Sequence, residues 1–192
     1  MCISNEAMEK IRKIAKQRTR SFGCHGWDHV ERVHNLCVFL GEKEEADVET
    51  LRVASLFHDI ARGERGDHAS ESAREAEQIL LGLGLPRARI SRVVDAIRAH
   101  SFSGGTRPLT LEAKILSDAD KLDAMGAVGV YRVSAFSGEA RRSLRKTIDH
   151  FSEKILKLKN MMYTKTSKKL ADERHRFMLT YLKQLEREIR IK

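Results

Sequence analysis

Four side chains in this sequence have the chemistry of metal ligands: His29, His58, Asp59 and Asp120. Imidazole nitrogens and carboxylate oxygens form a mixed set that suits Mn, Fe, Co, Ni, Zn or Mg and suits copper(I) poorly. We therefore expect one divalent metal ion at these residues, with its identity left open. A buried network of hydrogen bonds between histidine and aspartate is the alternative interpretation of the same residues.

Helical periodicity directs these side chains toward a core. At 100° per residue, His29 lies within about 40° of Val33 on the apolar face of its helix. His58 also lies on an apolar face, and Asp120 shares its face with Leu116. An unpaired ionised carboxylate in an apolar setting costs several kcal/mol, and a bound cation is the simplest way to offset that cost.

Three segments carry a resemblance to a known family. They are HGWDHVERV at 25–33, LFHDIA at 56–61 and SDADKLDA at 117–124. In this order they resemble the signatures of the HD superfamily of metal-dependent phosphohydrolases, whose pattern is an early His, a His-Asp doublet and a late Asp. The resemblance implies an all-α, single-domain helical bundle with a central metal, held by the four candidate ligands.

The resemblance extends to the C-terminal helices and covers about residues 20–180. His150-Phe151 and the segment 171–178 are similar to a compact bacterial and archaeal subgroup that includes metal-dependent nucleotide pyrophosphohydrolases. This implies hydrolysis of a phosphoester or phosphoanhydride bond in a nucleotide, such as a (deoxy)nucleoside triphosphate. Manganese is among the metals expected for that reaction.

Further side chains lie close to these ligands in the sequence. Asp59 could orient the attacking water. Asp123, three residues after Asp120, could act as a general base, hold a water molecule or bond to a neighbouring arginine. Arg62, three residues after Asp59, could bind a phosphate through its forked donors. Lys121 could neutralise the leaving group. We therefore predict catalytic roles for Asp59 and Asp123, and substrate binding for Arg62 and Lys121.

His68 and His100 raise an alternative. Together with the four candidate ligands they give the order His, His-Asp, His, His, Asp, which resembles the binuclear branch of the same superfamily. That branch includes diiron oxygenases, so a second metal and an oxygenase activity form the alternative prediction. His100 could instead bind substrate phosphate. The remaining histidines are interpreted as structural or surface groups: His25, His34, His150 and His175.

Helical periodicity accounts for most of the chain and supports the all-α fold class. Asp67 and Thr110 are predicted N-caps, Pro86 is predicted in a first helical turn, and the sixth helix continues or bends near Gly126. The predicted helices cover residues 5–20, 27–41, 47–61, 67–82, 86–97 and 110 to beyond 120, followed by a long antiparallel pair over 144–162 and 170–185.

Length and charge bound the remaining possibilities. The 192 residues suit a single domain over 1–192, with core motifs at about 20–136 and a basic helical pair at about 139–192. Residues 139–192 carry 16 basic and 7 acidic side chains, which supplies the whole formal charge of +9. A module that binds nucleic acid or another polyanion around a structural metal is a third interpretation. We favour a simpler explanation of the basic segment, namely lysine-rich helix faces that are exposed to solvent, because aromatic residues do not interleave with the charges.

Cysteine usage and hydropathy predict a cytoplasmic protein with reduced thiols and no membrane span. Cys2, Cys24 and Cys37 are odd in number and lack a CxxC spacing, so we expect reduced, partly buried thiols. No uncharged stretch approaches the roughly 20 residues of a membrane span. No apolar signal opens the sequence, which favours the cytoplasm. The oligomeric state stays open, because the spacing in the last helices fits intramolecular packing as well as a dimer.

Overall fold

A computed structural model describes residues 3–21, 23–63, 67–101 and 105–190, and these residues confirm the all-α fold class. Cys2 lies outside the described residues. The α-helices are α1 (Asn5–Arg18), α2 (Trp27–Lys43), α3 (Val48–Phe57), α4 (His68–Gly82), α5 (Arg87–Arg98), α6 (Leu111–Asp123), α7 (Gly126–Glu139), α8 (Leu144–Glu153) and α9 (Lys165–Ile189), with a 3₁₀-helix at Ile155–Met161.

The packing of the chain divides into two compact units, Met1–Asp120 and Lys121–Lys192. The boundary falls inside α6. Each unit has its own buried side chains, and the prediction of a single domain stays a prediction. No helix in the described part of the chain is long and apolar enough to cross a bilayer.

Helix α3 is the centre of the first unit. It packs against α1, α2, α4 and α5. Leu51, Ala54 and Phe57 of α3 are fully buried, and they follow the three-residue steps seen in the sequence. Their burial removes apolar surface from water on several sides of the helix, which fixes the position of its C-terminal end.

Helices α2 and α3 approach each other closely at Gly41. A Cβ atom at this position would lie 2.6 Å from Cδ1 of Leu51. A glycine therefore permits the contact that sets the distance between the two helices. Cys37 is buried in the same part of α2, and this burial raises the pKa of its thiol well above the usual value.

The structure confirms two predicted helix caps and shifts a third boundary. The Asp67 side chain accepts a hydrogen bond from the backbone N of Ala69 at 3.2 Å, and Thr110 Oγ1 accepts one from the backbone N of Ala113 at 3.1 Å. Pro86 is the N-cap of α5 and not a first-turn residue, because its ψ of 135° is extended.

The prediction that the third helix continues to residue 61 is wrong. The α-helix ends at Phe57, and His58 is its C-cap. The backbone then tightens, because the amide of Ile60 donates to the Phe57 carbonyl and the amide of Arg62 donates to the carbonyl of Asp59, each three residues back. The apolar positions fit a helix and this turn equally well, so periodicity did not separate them.

After residue 110, one prediction about helix length is confirmed and another is wrong. The sixth helix was predicted to continue or bend near Gly126, and it breaks there: α6 ends at Asp123 and α7 begins at Gly126, whose φ is +72°. The first helix of the predicted long pair is interrupted after Glu153, where the chain enters the 3₁₀-helix. Helix α9 is continuous and packs against α7 and that 3₁₀-helix.

Candidate metal centre

The four predicted ligands converge in the first unit. His29 comes from the first turn of α2, His58 and Asp59 come from the end of α3 and the turn after it, and Asp120 comes from α6. Nε2 of His29 lies 3.3 Å from Nε2 of His58, 3.5 Å from Oδ1 of Asp120 and 3.7 Å from Oδ2 of Asp59. His29 and His58 are fully buried, and Asp59 is nearly so.

The hydrogen bonding of His58 prepares it to be a ligand. Its Nδ1 lies 2.7 Å from the carbonyl oxygen of Ser55, which can only accept, so Nδ1 carries the proton. In the neutral ring the lone pair is then on Nε2, which faces His29 and Asp59. The pKa of His58 is lowered to about 4, first because burial penalises the charged form. The imidazole is therefore neutral at pH 7, as a metal ligand must be.

Both carboxylates of the cluster are held in their ionised form. Burial alone would raise the pKa of Asp59, but the charges and hydrogen bonds of its neighbours, led by His58, lower it well below its usual value. Asp120 behaves in the same way, with His29 as the strongest of the groups that lower its pKa. The cluster therefore offers the neutral imidazole of His58 together with charged carboxylates, which is a protonation pattern that binds a divalent cation.

Distances within the cluster fit a single ion. Two ligand atoms at about 2.1 Å from one octahedral ion are roughly 3.0 Å apart when adjacent and roughly 4.2 Å apart when opposite. The separations of His29 Nε2 from its three neighbours lie between these limits. His29, His58 and Asp120 also form one of the groups whose donor atoms all lie within 4.8 Å of one another. The residues present therefore suit the metal that the sequence predicts.

Asp59 has a different set of neighbours on each carboxylate oxygen. Oδ2 faces His29 and His58, each at 3.7 Å through Nε2. Oδ1 faces Nε2 of His68 at 3.6 Å and Nε2 of His100 at 3.7 Å. The two residues predicted for a second metal thus lie beside the same carboxylate as the first set.

His100 is buried beside this carboxylate. Its Nδ1 donates to the carbonyl of Ile97 at 2.6 Å, so in the neutral ring the lone pair is on Nε2. Within the described part of the chain, that Nε2 is a buried atom without a hydrogen-bond partner. A substrate-binding role for His100 stays a prediction.

Arg62 lies on the solvent side of the cluster, with 35% of its side chain exposed. Its Nη1 donates to Oδ1 and Oδ2 of Asp59 at 3.0 and 3.1 Å, and it lies 3.1 Å from Nε2 of His68. The predicted proximity of Arg62 to the metal ligands is therefore observed. Because the remaining guanidinium donors are on a partly exposed group, they can bind a phosphate.

His25 belongs to the cluster, although we interpreted it as a structural or surface group. Its Nδ1 lies 3.4 Å from Oδ2 of Asp59, and its ring meets the ring of His29 edge to face at 5.3 Å between centroids. It precedes the first turn of α2, so helical periodicity did not direct it inward. Its spacing of four residues from His29 was the available signal. With 31% of the side chain exposed, His25 borders the entrance of the cluster.

Two other predicted residues belong to the second unit. Asp123 accepts a hydrogen bond from Nη1 of Arg132 at 3.0 Å, and both side chains are buried. Lys121 is also buried, and its Nζ lies 5.4 Å from the centroid of the Tyr163 ring. A catalytic role for Asp123 and a substrate-binding role for Lys121 stay predictions.

The remaining histidines lie apart from these contacts. His34 contacts Ser55 through Nδ1 at 3.0 Å, and the His150 ring lies 6.1 Å from that of Phe136. His175 is half-buried on α9. The contacts of His34 and His150 agree with the structural roles expected from the sequence.

Comparison with known proteins decides the family. A family model described as the HD domain matches residues 26–125, slightly more than half of the chain. The chain belongs to the HD-domain family. The matched range contains His29, His58, Asp59 and Asp120, so the four predicted ligands lie within the HD domain.

This HD-domain protein is similar to the uncharacterized protein YpgQ of Bacillus subtilis (strain 168). The two are 39% identical over 173 residues, which are 86% of this chain and 84% of YpgQ. The crystal structure of Bacillus subtilis YpgQ in complex with ADP matches with a TM-score of 0.83 at 36% identity, over 96% of each chain. An HD-superfamily hydrolase from Bacillus thuringiensis matches with a TM-score of 0.78 at 28% identity, over 97% of this chain and 98% of that chain.

Proposed function

We propose that this HD-domain protein is a metal-dependent phosphohydrolase that cleaves a phosphoester or phosphoanhydride bond of a nucleotide. The observation that carries the proposal is the convergence of two imidazoles and two carboxylates: Nε2 of His29 lies 3.3 to 3.7 Å from donor atoms of His58, Asp120 and Asp59. His29, His58, Asp59 and Asp120 would hold one divalent ion. Manganese, iron, cobalt, nickel, zinc and magnesium all accept such ligands.

A divalent ion at these residues would supply a more acidic water and would polarise a phosphoryl oxygen. The protein residues do the rest of the positioning. Ser55 fixes the tautomer of His58 through its carbonyl, so that Nε2 keeps its lone pair toward the cluster. The guanidinium of Arg62 lies at the exposed border of the cluster, where it can bind the phosphate that is cleaved. His25 borders the same entrance from the other side of Asp59.

The nucleotide as substrate rests on a relative. YpgQ was crystallised in complex with ADP, and this chain matches it over almost the whole length of both proteins. A nucleoside triphosphate or diphosphate carries the phosphoanhydride bond that the cluster would cleave. This supports a pyrophosphohydrolase or nucleotidase reaction, with the base and the sugar left to measurement.

The first experiment measures bound metal and turnover on the same sample. The full-length protein is stripped with a chelator, reloaded with Mn, Co, Ni or Mg, and assayed for phosphate and pyrophosphate release from a panel of nucleotides. We expect about one metal per chain and release that falls at least about 100-fold in His58→Ala, because that variant loses a ligand. His150→Gln is the matched control: it changes a histidine outside the cluster and should keep both metal and release.

Two results would contradict the proposal. Release that persists at the wild-type rate in His58→Ala would show that the cluster is not the active site. If the protein binds one metal at the cluster but releases no phosphate or pyrophosphate from any nucleotide, the proposal that its substrate is a nucleotide is wrong.

A diiron oxygenase is the second candidate, and one observation favours it. His68 and His100 lie beside Oδ1 of Asp59, whereas His29 and His58 lie beside Oδ2, so the first pair could contribute ligands to a second metal. Oxygen consumption by the iron-loaded protein, with two irons per chain and no nucleotide hydrolysis, would select this activity over the hydrolase.

A further inference from the structure

The Oδ1 side of Asp59 already holds a positive charge. Nη1 of Arg62 is 3.0 Å from Oδ1 and 3.1 Å from Oδ2 of this buried carboxylate. It is also 3.1 Å from Nε2 of His68, and that nitrogen is itself 3.6 Å from Oδ1. One nitrogen of the guanidinium therefore contacts both the carboxylate and the imidazole that a second metal ion would need.

The same contacts set Arg62 in competition with a metal. A cation bound to Oδ1 of Asp59 and Nε2 of His68 would lie within a few Å of the guanidinium, and two positive charges at that separation repel each other strongly in a poorly solvated site. An arginine stays protonated under all ordinary conditions, so it cannot relieve the repulsion by losing a proton. Either the side chain leaves or the second ion does not bind.

His100, which is buried beside Oδ1 of Asp59, is a further potential ligand of a second metal ion. His100 Nδ1 is committed to the Ile97 carbonyl, and its Nε2 lies 3.7 Å from Oδ1 of Asp59 without a hydrogen-bond partner in the described residues. Nε2 of His68 lies 3.6 Å from the same Oδ1, so both imidazoles border one oxygen of this carboxylate. Arg62, which is partly exposed, contacts that oxygen as well.

We propose that Arg62 acts as the second cation of this site: its guanidinium holds the cluster to one metal ion and supplies the charge that a second ion would bring to the substrate phosphate. This deepens the proposed function and rests on it for the role of the phosphate. The limit of one metal per chain depends only on the geometry around Asp59. Arg62 thereby restricts a cluster with more than four potential ligands to a single metal ion.

The test counts metal ions in matched variants. Wild-type protein, Arg62→Ala, Arg62→Lys and the double variant Arg62→Ala/His68→Gln are loaded with excess Mn, dialysed and analysed for Mn per chain, with spin coupling between neighbouring Mn ions followed by electron paramagnetic resonance. We expect one Mn in wild type, two coupled Mn in Arg62→Ala, and one in the double variant, which lacks a ligand of the second ion. Arg62→Lys keeps the charge and should retain one.

Several results would overturn the inference. They are two Mn in wild type, a single Mn in Arg62→Ala, or two Mn in Arg62→Lys. If Arg62→Ala does not fold, Arg62→Met keeps the aliphatic stem without the charge and serves in its place. Failure of the proposed function is seen separately, as wild-type protein that holds one Mn at the cluster but has no nucleotide turnover.

Discussion

Single residues show how one protein separates histidines that can bind a metal from those that cannot. His58 is buried beside other imidazoles and carboxylates, whereas His34 faces cationic groups. The pKa of His34 is lowered, first by burial and then by the charge of Arg12. Its Nδ1 contacts Oγ of Ser55 at 3.0 Å. His34 is therefore a neutral structural residue, and its protonation opposes folding.

This arrangement predicts that His34 contributes to acid sensitivity. An unfolded histidine takes up a proton below about pH 6.5, while folded His34 takes it up only at lower pH. The free energy of unfolding therefore falls as the pH drops below about 6.5, by up to about 1.4 kcal/mol per pH unit from this group. In His34→Asn, which keeps a hydrogen-bonding atom near Ser55, the fall should be smaller. Urea unfolding of both proteins at about pH 7.5 and 5.5 measures it, and an equal fall in both would contradict the prediction.

The sequence predicted the four residues of the cluster whose types and positions are distinctive. It missed His25, whose direction depends on the conformation of a loop. Two histidines and Asp120 on apolar helix faces, with Asp59 next to His58, indicated a metal site, and the structure brings donor atoms of the other three within 3.7 Å of Nε2 of His29. His25 was missed because it precedes α2 in a segment with two glycines, where periodicity gives no direction. The contact between Arg62 and His68 depends on the path of the chain between them, which no spacing in the sequence specifies.

At the scale of elements, the cap of α3 links the fold to the cluster. The Asp47 side chain accepts hydrogen bonds from the backbone N of Thr50 at 3.1 Å and from its Oγ1 at 2.9 Å, and it forms an ion pair with Arg89 of α5. Burial alone would raise the pKa of Asp47, but these bonds and the charge of Arg89 lower it. One carboxylate therefore caps the start of α3, the helix whose C-cap is His58, and ties it to α5.

Removal of this cap should destabilise the first unit. Asp47→Ala loses the cap and leaves Arg89 with a weaker set of partners, so we expect a loss of about 2 kcal/mol in the free energy of unfolding. Asp47→Asn can still cap the helix and should lose less. Chemical unfolding followed by circular dichroism provides the comparison, and equal losses in the two variants would show that the ion pair, and not the cap, matters.

Helix existence was predictable from the sequence, and helix ends were less so. Apolar steps and the Asp67 and Thr110 caps located most elements correctly. The end of α3 was misplaced because its apolar residues fit the tight turn that follows, and that turn brings His58 and Asp59 into the cluster. The break after Glu153 was missed because the 3₁₀-helix keeps buried side chains at three-residue steps, such as Ile155 and Leu158.

For the whole molecule, metal binding and folding should be linked. The four candidate ligands span residues 29 to 120, so an ion that binds them favours the folded chain over the unfolded one. The sequence also predicted where the net charge lies, and residues such as Lys154, Lys157 and Lys168 are exposed. Composition alone could not say which partner, if any, this basic segment binds.

The linkage predicts a thermal shift. Free metal at about 100 times its dissociation constant stabilises the folded state by about 2.7 kcal/mol. At roughly 2 to 4 °C per kcal/mol for a chain of this size, Tm should rise by about 5 to 10 °C. The shift should be absent in Asp120→Ala and present in His150→Gln. Differential scanning fluorimetry measures it, and an undiminished shift in Asp120→Ala would place the bound metal elsewhere.

The burial of Cys37 also makes it a reporter. Only a thiolate reacts quickly with alkylating agents, and Cys37 is both inaccessible and held protonated in the folded chain. Iodoacetamide should therefore leave it intact until α2 separates from its neighbours. Mass spectrometry can follow the rate at which this residue gains a carbamidomethyl group. That rate then measures transient opening of the first unit, without any engineered label.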